Sequence, residues 1–315
     1  MNILITGGAG YVGFNLAREL DKLSQVKSIT VYDNLYRNNL NFFIGESSSN
    51  NSKDTLTKTR FIKGDILDDY TLNKSLENID VVIHMAAHVD NPYSYKDNYL
   101  YEQINQFGTA NLVSSMRSFN VKKLIYLSSG SVYGFQKESY EQTTPLPENG
   151  YGISKLEGEK YCRLLENNLS LNIVRVGNIF GYNPMFRYHS VINRFMMDAL
   201  IYNKIYIYGN GEQSRPFINL DNVVTELKKI VLEESNSQSP AESSSLINLV
   251  DKNLTLNQLR DMMLELIPDM EFTYVNANLH SKSYEMFSNY YKPQHSFETL
   301  FKEAFAKFQQ QFRLS

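Results

Sequence analysis

Short β-branched apolar runs alternate with longer segments of helical periodicity through the first half of the chain. The runs "NILIT" (2–6), "SITVYD" (28–33), "RFIKGD" (60–65), "DVVIHMA" (80–86) and "KKLIYLSS" (122–129) read as strands buried on both faces. Between them, "YVGFNLARELDKL" (11–23), "DDYTLNKSLENI" (68–79) and "NQFGTANLVSSMRSF" (105–119) repeat apolar residues every three or four positions, as amphipathic helices do. This alternation predicts βαβ units and a parallel sheet covered on both faces. A helix containing Tyr151 and a further strand over 171–181, "LNIVRVGNIFG", continue it. One stretch breaks the rhythm: "FFIGESSSNNSKDTLTKTR" (42–60) is rich in Ser, Asn and Lys and reads as a solvated loop insertion. Beyond about residue 181 the pattern is irregular, with turn signals at "GYNP" and "GNGEQ" and helices near 188–202, 221–234, 256–266 and 296–312. The expected organisation is a nucleotide-binding domain over 1–180, to which a segment near 218–248 returns, and a smaller lobe over 181–315.

Composition adds limits rather than direction. A net charge of −3 and a pI near 6.0 give no global attraction for nucleic acid or an anionic membrane. The single cysteine, Cys162, cannot form an internal disulfide, which suits a reducing compartment. The start "MNILITGGAG" lacks a basic n-region, and no run of 18 apolar residues follows. A cytoplasmic protein without a membrane span is expected.

Chemistry enters at "ILITGGAGYVG". Gly7, Gly8, Gly10 and Gly13 stand directly between the first strand and the first helix, and satisfy G-x-G-x-x-G. Such a loop needs a tight turn, close approach of backbone to a pyrophosphate, and close packing of helix on strand. The phosphates then meet free N–H groups at the positive end of the helix. The second strand ends in Asp33, 20 residues after Gly13, where a carboxylate grips an adenosine ribose. An acid there repels a 2′-phosphate and favours NAD over NADP; Arg37 nearby works against that preference.

A second signal is a tyrosine and a lysine four residues apart. With 22 tyrosines this spacing occurs three times, as Tyr70–Lys74, Tyr133–Lys137 and Tyr151–Lys155, so spacing alone decides nothing. Tyr70–Lys74 reads as a solvated pair on a helix. Tyr133–Lys137 lies in the loop-like "SVYGFQKE", with the lysine on the surface and Tyr133 expected to line the site. Tyr151–Lys155 opens a periodic segment after the breaker-rich "TTPLPENG", so both side chains share one helix face. It follows by about 20 residues the strand end "LSSGSVYG", where Ser128, Ser129 and Ser131 emerge, and ligands bind outside such strand ends. A phenol titrates near 10, and a neighbouring ammonium with a cationic nicotinamide favours its phenolate. A serine hydroxyl can then hold an alcohol while tyrosine removes its proton and hydride leaves the same carbon.

With "TGGAGYVG", "VYDNL", "GDILD", "VIHMAAHV", "INQFGTANL", "YLSSGSVYG", "YGISK", "VRVGNIFG" and "IYGNGEQSRPFINLDNVV" in this order, the chain resembles an extended short-chain dehydrogenase/reductase of the NAD-dependent sugar-nucleotide epimerase/dehydratase family. The resemblance implies a Rossmann-type, doubly wound parallel α/β sheet with a smaller C-terminal α/β lobe, NAD as cofactor, a nucleotide-sugar substrate and a homodimer formed through the helices near 95–119 and 151–169. It assigns Gly7, Gly10, Tyr11, Val12 and Gly13 to the pyrophosphate loop, Asp33 and Asn34 to the ribose, and Asp65 and Ile66 to the adenine. Ala86 and Ala87 would lie along the cofactor and Asn105 below its nicotinamide end. Ser129 would be the catalytic hydroxyl, Tyr151 the base, and Lys155 its electrostatic partner and a ribose ligand. His88, Ser131, Asn178, Arg187 and Arg215 would face the sugar nucleotide.

Within the family, 4,6-dehydratases carry Asp-Glu after the catalytic hydroxyl, whereas this chain has Gly130 and Ser131. That favours a 4-epimerase, which oxidises C4 transiently and returns the hydride, over dehydration; a 4-dehydrogenase or 4-ketosugar reductase is the alternative. A non-catalytic dinucleotide-binding regulator would have lost Ser, Tyr or Lys, and all three are present. Epimerases usually bring a second arginine from the C-terminal lobe to the diphosphate. Here "VNANLHSKSYEMFSNYYKPQHSF" has none, leaving Lys282, His280 or Arg187 as substitutes. His84 and His88 flank a strand end, where i,i+4 spacing does not place them on one face, and no metal is expected.

Overall fold

The computed structural model describes residues 1–44, 56–89, 98–233, 241–276 and 282–312. Most of the expected loop insertion over 42–60 lies outside these residues, as does His280. The chain begins with β1 (Asn2–Thr6), α1 (Tyr11–Asp21), β2 (Ser28–Asp33), the short α2 (Asn41–Ile44), β3 (Thr59–Lys63), α3 (Asp69–Ser75) and β4 (Val81–His84). A single turn α4 (Asn98–Leu100) runs through a π-helical stretch, Tyr101–Phe107, into α5 (Gly108–Met116). β5 (Lys123–Ser129), α6 (Gly150–Arg163) and β6 (Ser170–Val176) follow.

Beyond β6 come β7 (Asn178–Phe180), α7 (Val191–Tyr202), β8 (Lys204–Tyr208), β9 (Ser214–Asn219) and α8 (Leu220–Leu232). The described chain closes with β10 (Ser245–Leu249), β11 (Lys252–Thr255), α9 (Leu256–Leu266), β12 (Glu271–Val275) and α10 (Phe297–Gln311). No helix of the described residues is long and apolar enough to cross a membrane.

Seven strands form one sheet in the order β10-β6-β5-β4-β1-β2-β3, and every pairing is parallel. The central strands β1 and β4 are almost wholly buried because helices cover both faces. One apolar cluster joins Ile3, Ile5, Val31 and Ile83 to Phe14 and Leu20 of α1 and Leu227 and Ile230 of α8. The other joins Leu4, Val82 and Leu124 to Leu72 of α3, Leu112 of α5 and Cys162 of α6. Strand order reverses between β1 and β4, and a crevice opens there at the carboxyl ends of the strands. The Lys123 ammonium fastens α8 to the sheet: buried, it donates to the Ile230 and Glu233 carbonyls at 2.7 and 2.6 Å, at the negative end of that helix.

The strand expected over 171–181 is two strands. At Gly177 the chain leaves the large sheet, and β7 pairs instead with β9 in a three-stranded sheet, β11-β9-β7. An unbroken apolar run hides this change of partner. The helix expected over 105–119 is also two pieces, since wider π-helical winding precedes α5. The third core lies under the C-terminal part, where Phe195 of α7, Leu259 of α9 and Phe301 and Phe308 of α10 pack around Phe180 and Phe217.

Candidate active site

One cavity of about 1280 Å³ runs from the glycine loop to the three-stranded sheet. At one end it is lined by Gly7, Gly10, Tyr11, Val12 and Gly13, with Asp33, Asn34, Asp65 and Ile66 beside them and Ala86 and Ala87 along its floor. Gly7 has φ +69°, and a Cβ there would lie 2.6 Å from the Ala86 backbone nitrogen, so only glycine lets these two strand ends approach. The Asp33 carboxylate accepts the Ala9 and Leu35 N–H groups at 3.1 and 2.8 Å, and its burial raises its pKa above the ordinary carboxylate value. Asn34 donates to Asp65 Oδ2 at 2.9 Å, joining the ends of β2 and β3. Arg37 donates to the Val89 carbonyl, and both residues line the cavity.

At the middle of the cavity stand Ser129, Tyr151 and Lys155. Asn149 starts α6, its side chain accepting the Gly152 N–H at 2.8 Å, which puts Tyr151 in the first turn and Lys155 one turn on. A Cβ at Gly152 would come 2.5 Å from the Ser131 carbonyl, so the helix start lies hard against the turn after β5. The Ser129 hydroxyl accepts the Ser131 N–H at 3.2 Å and lies near enough to the Tyr151 phenol to favour its ionisation. Burial pushes the Tyr151 phenol up, while Arg187 first, then the Ser129 hydroxyl and Arg37, pull it back. Lys155 is 2 % exposed, its ammonium 4.2 Å from the centre of the Tyr126 ring, and desolvation brings it down to about 8.

The far end holds Ser131, Asn178, Arg187 and Arg215, with His88 on the wall. Asn178 donates to the Pro216 carbonyl at 3.0 Å and meets the Tyr284 hydroxyl at 3.5 Å. Arg215 lies over the Tyr284 ring at 5.2 Å and donates to the Lys282 carbonyl at 2.7 Å. Arg187 donates to the Val89 carbonyl at 3.0 Å. Tyr284 is not distinguished in the sequence, where it is one of several aromatic residues in "SYEMFSNYY".

Two expectations need revision. Asn105 does not line the cavity: its carboxamide accepts the His88 N–H at 2.7 Å and donates to the His88 carbonyl and Ser154 at 3.0 Å each, so it supports the wall from behind. Tyr133 is fully buried and donates to Asn248 at 2.8 Å, away from the cavity. Lys282 is exposed at the rim, its ammonium 3.4 Å from Glu148. His84 bonds Thr6 and Thr109 at 2.6 and 2.9 Å, within the core and apart from His88.

A sequence profile of the NAD dependent epimerase/dehydratase family matches residues 3–243, and the chain belongs to this family. It is an NAD-dependent enzyme of the isomerase or oxidoreductase kind. Among its relatives is the dTDP-D-glucose 4,6-dehydratase of Dictyostelium discoideum, 32% identical over 71% of this chain; the match spans 54% of that protein. The UDP-glucose epimerase YtcB of Bacillus subtilis, itself uncharacterized, is 28% identical over 79% of this chain and 80% of its own length. Among solved structures, the UDP-N-acetylglucosamine 4-epimerase of Methanobrevibacter ruminantium in complex with UDP-N-acetylmuramic acid superposes with a TM-score of 0.81 at 26% identity, covering 99% of each chain.

The cofactor is NAD, and the residues at the glycine end suit it. A cradle that a Cβ would fill at Gly7, a buried carboxylate at Asp33 and a helix N-terminus at Tyr11 match a pyrophosphate with an unphosphorylated ribose.

Proposed function

We propose that the chain is a cytoplasmic, homodimeric nucleotide-sugar 4-epimerase, with Ser129, Tyr151 and Lys155 as its catalytic residues. The observation that carries this reading is that Ser129, Tyr151 and the buried Lys155 line the same cavity as the glycine loop and Arg215, with Tyr151 and Lys155 one helical turn apart on α6. Bound NAD supplies the two-electron acceptor for the sugar's C4 and the donor that restores it. Ser129 orients the C4 hydroxyl, and Tyr151 takes its proton as oxidation proceeds and gives it back on reduction. The Lys155 charge favours the phenolate and grips the ribose of the dinucleotide. Arg215, Arg187 and Asn178 hold the nucleoside diphosphate and sugar, with Ser131 and His88 at the sugar's flank.

Dehydration fits less well. At Gly130 a Cβ would lie 3.0 Å from Met286 Sδ and 3.6 Å from Tyr284, so an acid there would require the Met286 side chain to shift. The homodimer reading is supported by the apolar side chains of Tyr99, Phe107 and Ile153, exposed on the helices at 98–116 and on α6.

The test is to purify the protein, identify in one portion any dinucleotide it carries, and offer the untreated remainder UDP-, GDP-, CDP- and dTDP-sugars. Interconversion of 4-epimers without added cofactor is the expected result. Steady formation of NADH would replace the epimerase with a 4-dehydrogenase, and stoichiometric NADH consumption with a 4-ketosugar reductase.

A further inference from the structure

Directly behind Ser129 and Lys155 lies a buried ion pair. Glu159 stands one helical turn beyond Lys155 on α6 and is 1 % exposed; Arg175 on β6 is 3 % exposed. Arg175 grips the carboxylate with both arms, Nε to Oε1 at 2.9 Å and Nη2 to Oε2 at 2.7 Å. The Ser128 hydroxyl donates to the same Oε1 at 2.5 Å. One carboxylate therefore ties together α6, β6 and the residue preceding Ser129 on β5. Taking two charges out of water costs several kcal/mol per ion, and apolar replacements for such pairs are often neutral or stabilising. Stability alone is a weak reason for a pair at this place.

The groups facing Lys155 suggest a better one. Tyr126 and His84 face it from the sheet, and Glu159 and Cys162 from its own helix. Burial keeps the Tyr126 phenol and the Cys162 thiol protonated, and keeps the His84 imidazole neutral. Among these groups Glu159 is the one carboxylate. Desolvation works against the Lys155 charge, and with the thiol protonated the opposing influence is that of Glu159.

We propose that Glu159, held by Arg175 and Ser128, is a positioning residue that keeps Lys155 charged in its buried place and fixes the Ser129 strand end against α6. The inference rests on the reading of Lys155 as the electrostatic partner of Tyr151, but its test does not depend on any substrate. Protein carrying ¹³C at the lysine Cε is titrated by NMR, with the Lys155 resonance identified by its loss in Lys155→Met. Glu159→Gln keeps the shape and the Ser128 contact but leaves the arginine cation alone, and Lys155 then loses its proton at a pH lower by roughly one unit. Arg175→Met leaves the carboxylate alone and moves the same titration upward. Should Glu159→Gln fail to fold, the upward shift in Arg175→Met still carries the test. A Lys155 titration unmoved in the variants that fold, or moved in the same direction by both, overturns the proposal and leaves the pair a structural part. A failed catalytic reading would show separately, as turnover that survives loss of Tyr151.

Discussion

The two ends of the cavity are built by different means. At the glycine end every lining group follows a strand of the one sheet: Gly7 after β1, Asp33 closing β2, Asp65 after β3, Ala86 and Ala87 after β4. Parallel pairing with a regular register sets these positions, so backbone geometry does most of the recognition. At the far end Asn178 comes from β7, Arg187 from the loop before α7, Arg215 from β9, and Tyr284 from a segment some 70 residues further on. Side chains from unrelated places meet there, and no single repeat governs them. The lesson is that a dinucleotide site can be fixed by topology while the substrate site beside it stays open to change.

This contrast can be broken at either end. The largest effect is expected at the backbone-defined end, where Gly7→Val adds atoms against the Ala86 backbone at a positive φ. Isothermal calorimetry should find NAD binding weakened by at least about a hundredfold; near-normal affinity would mean that the strand ends yield more readily than the contact implies. Asp33→Asn removes charge but not shape, and should weaken NAD roughly tenfold or somewhat more in the same measurement. At the side-chain end, Arg215→Ala should raise the Kd of the nucleotide sugar about tenfold and leave that of NAD unchanged. Arg215→Lys should recover little of this, since an ammonium lacks the planar fork over Tyr284. An equal loss of both ligands in Arg215→Ala would erase the distinction between the two ends.

The same difference governs what can be read from sequence. The strands β1 to β5, the helix α1 and the helix with Tyr151 are legible because buried strands and amphipathic helices have distinct periods. The glycine loop and Asp33 are legible because their spacing is local. Gly177 conceals its role, since the apolar run crosses it without a break although the chain changes sheets there. Strands β8 and β12 are missed because they form a half-exposed pair, with Tyr206, Phe272 and Tyr274 all in contact with solvent. Asn105 lies one layer behind the cavity, held by His88, and sequence order cannot distinguish a lining residue from the one supporting it. Tyr284 and the Glu159–Arg175 pair are tertiary arrangements, visible only once β6, β9 and α6 are assembled.

Of the three Tyr–Lys spacings, one lies at the middle of the cavity. Tyr70–Lys74 is an exposed contact, with the ammonium 4.1 Å above a ring that is 69 % exposed, and Lys137 is exposed while Tyr133 is buried elsewhere. The proposed chemistry therefore rests on Tyr151. The most direct measurement compares Tyr151→Phe with the unaltered enzyme for NAD affinity and for turnover of whichever nucleotide sugar the panel identifies. The expected result is an NAD Kd within about twofold of the original and turnover lower by roughly a thousandfold. Turnover retained in full, with NAD still bound, would contradict the assignment of Tyr151 as the base.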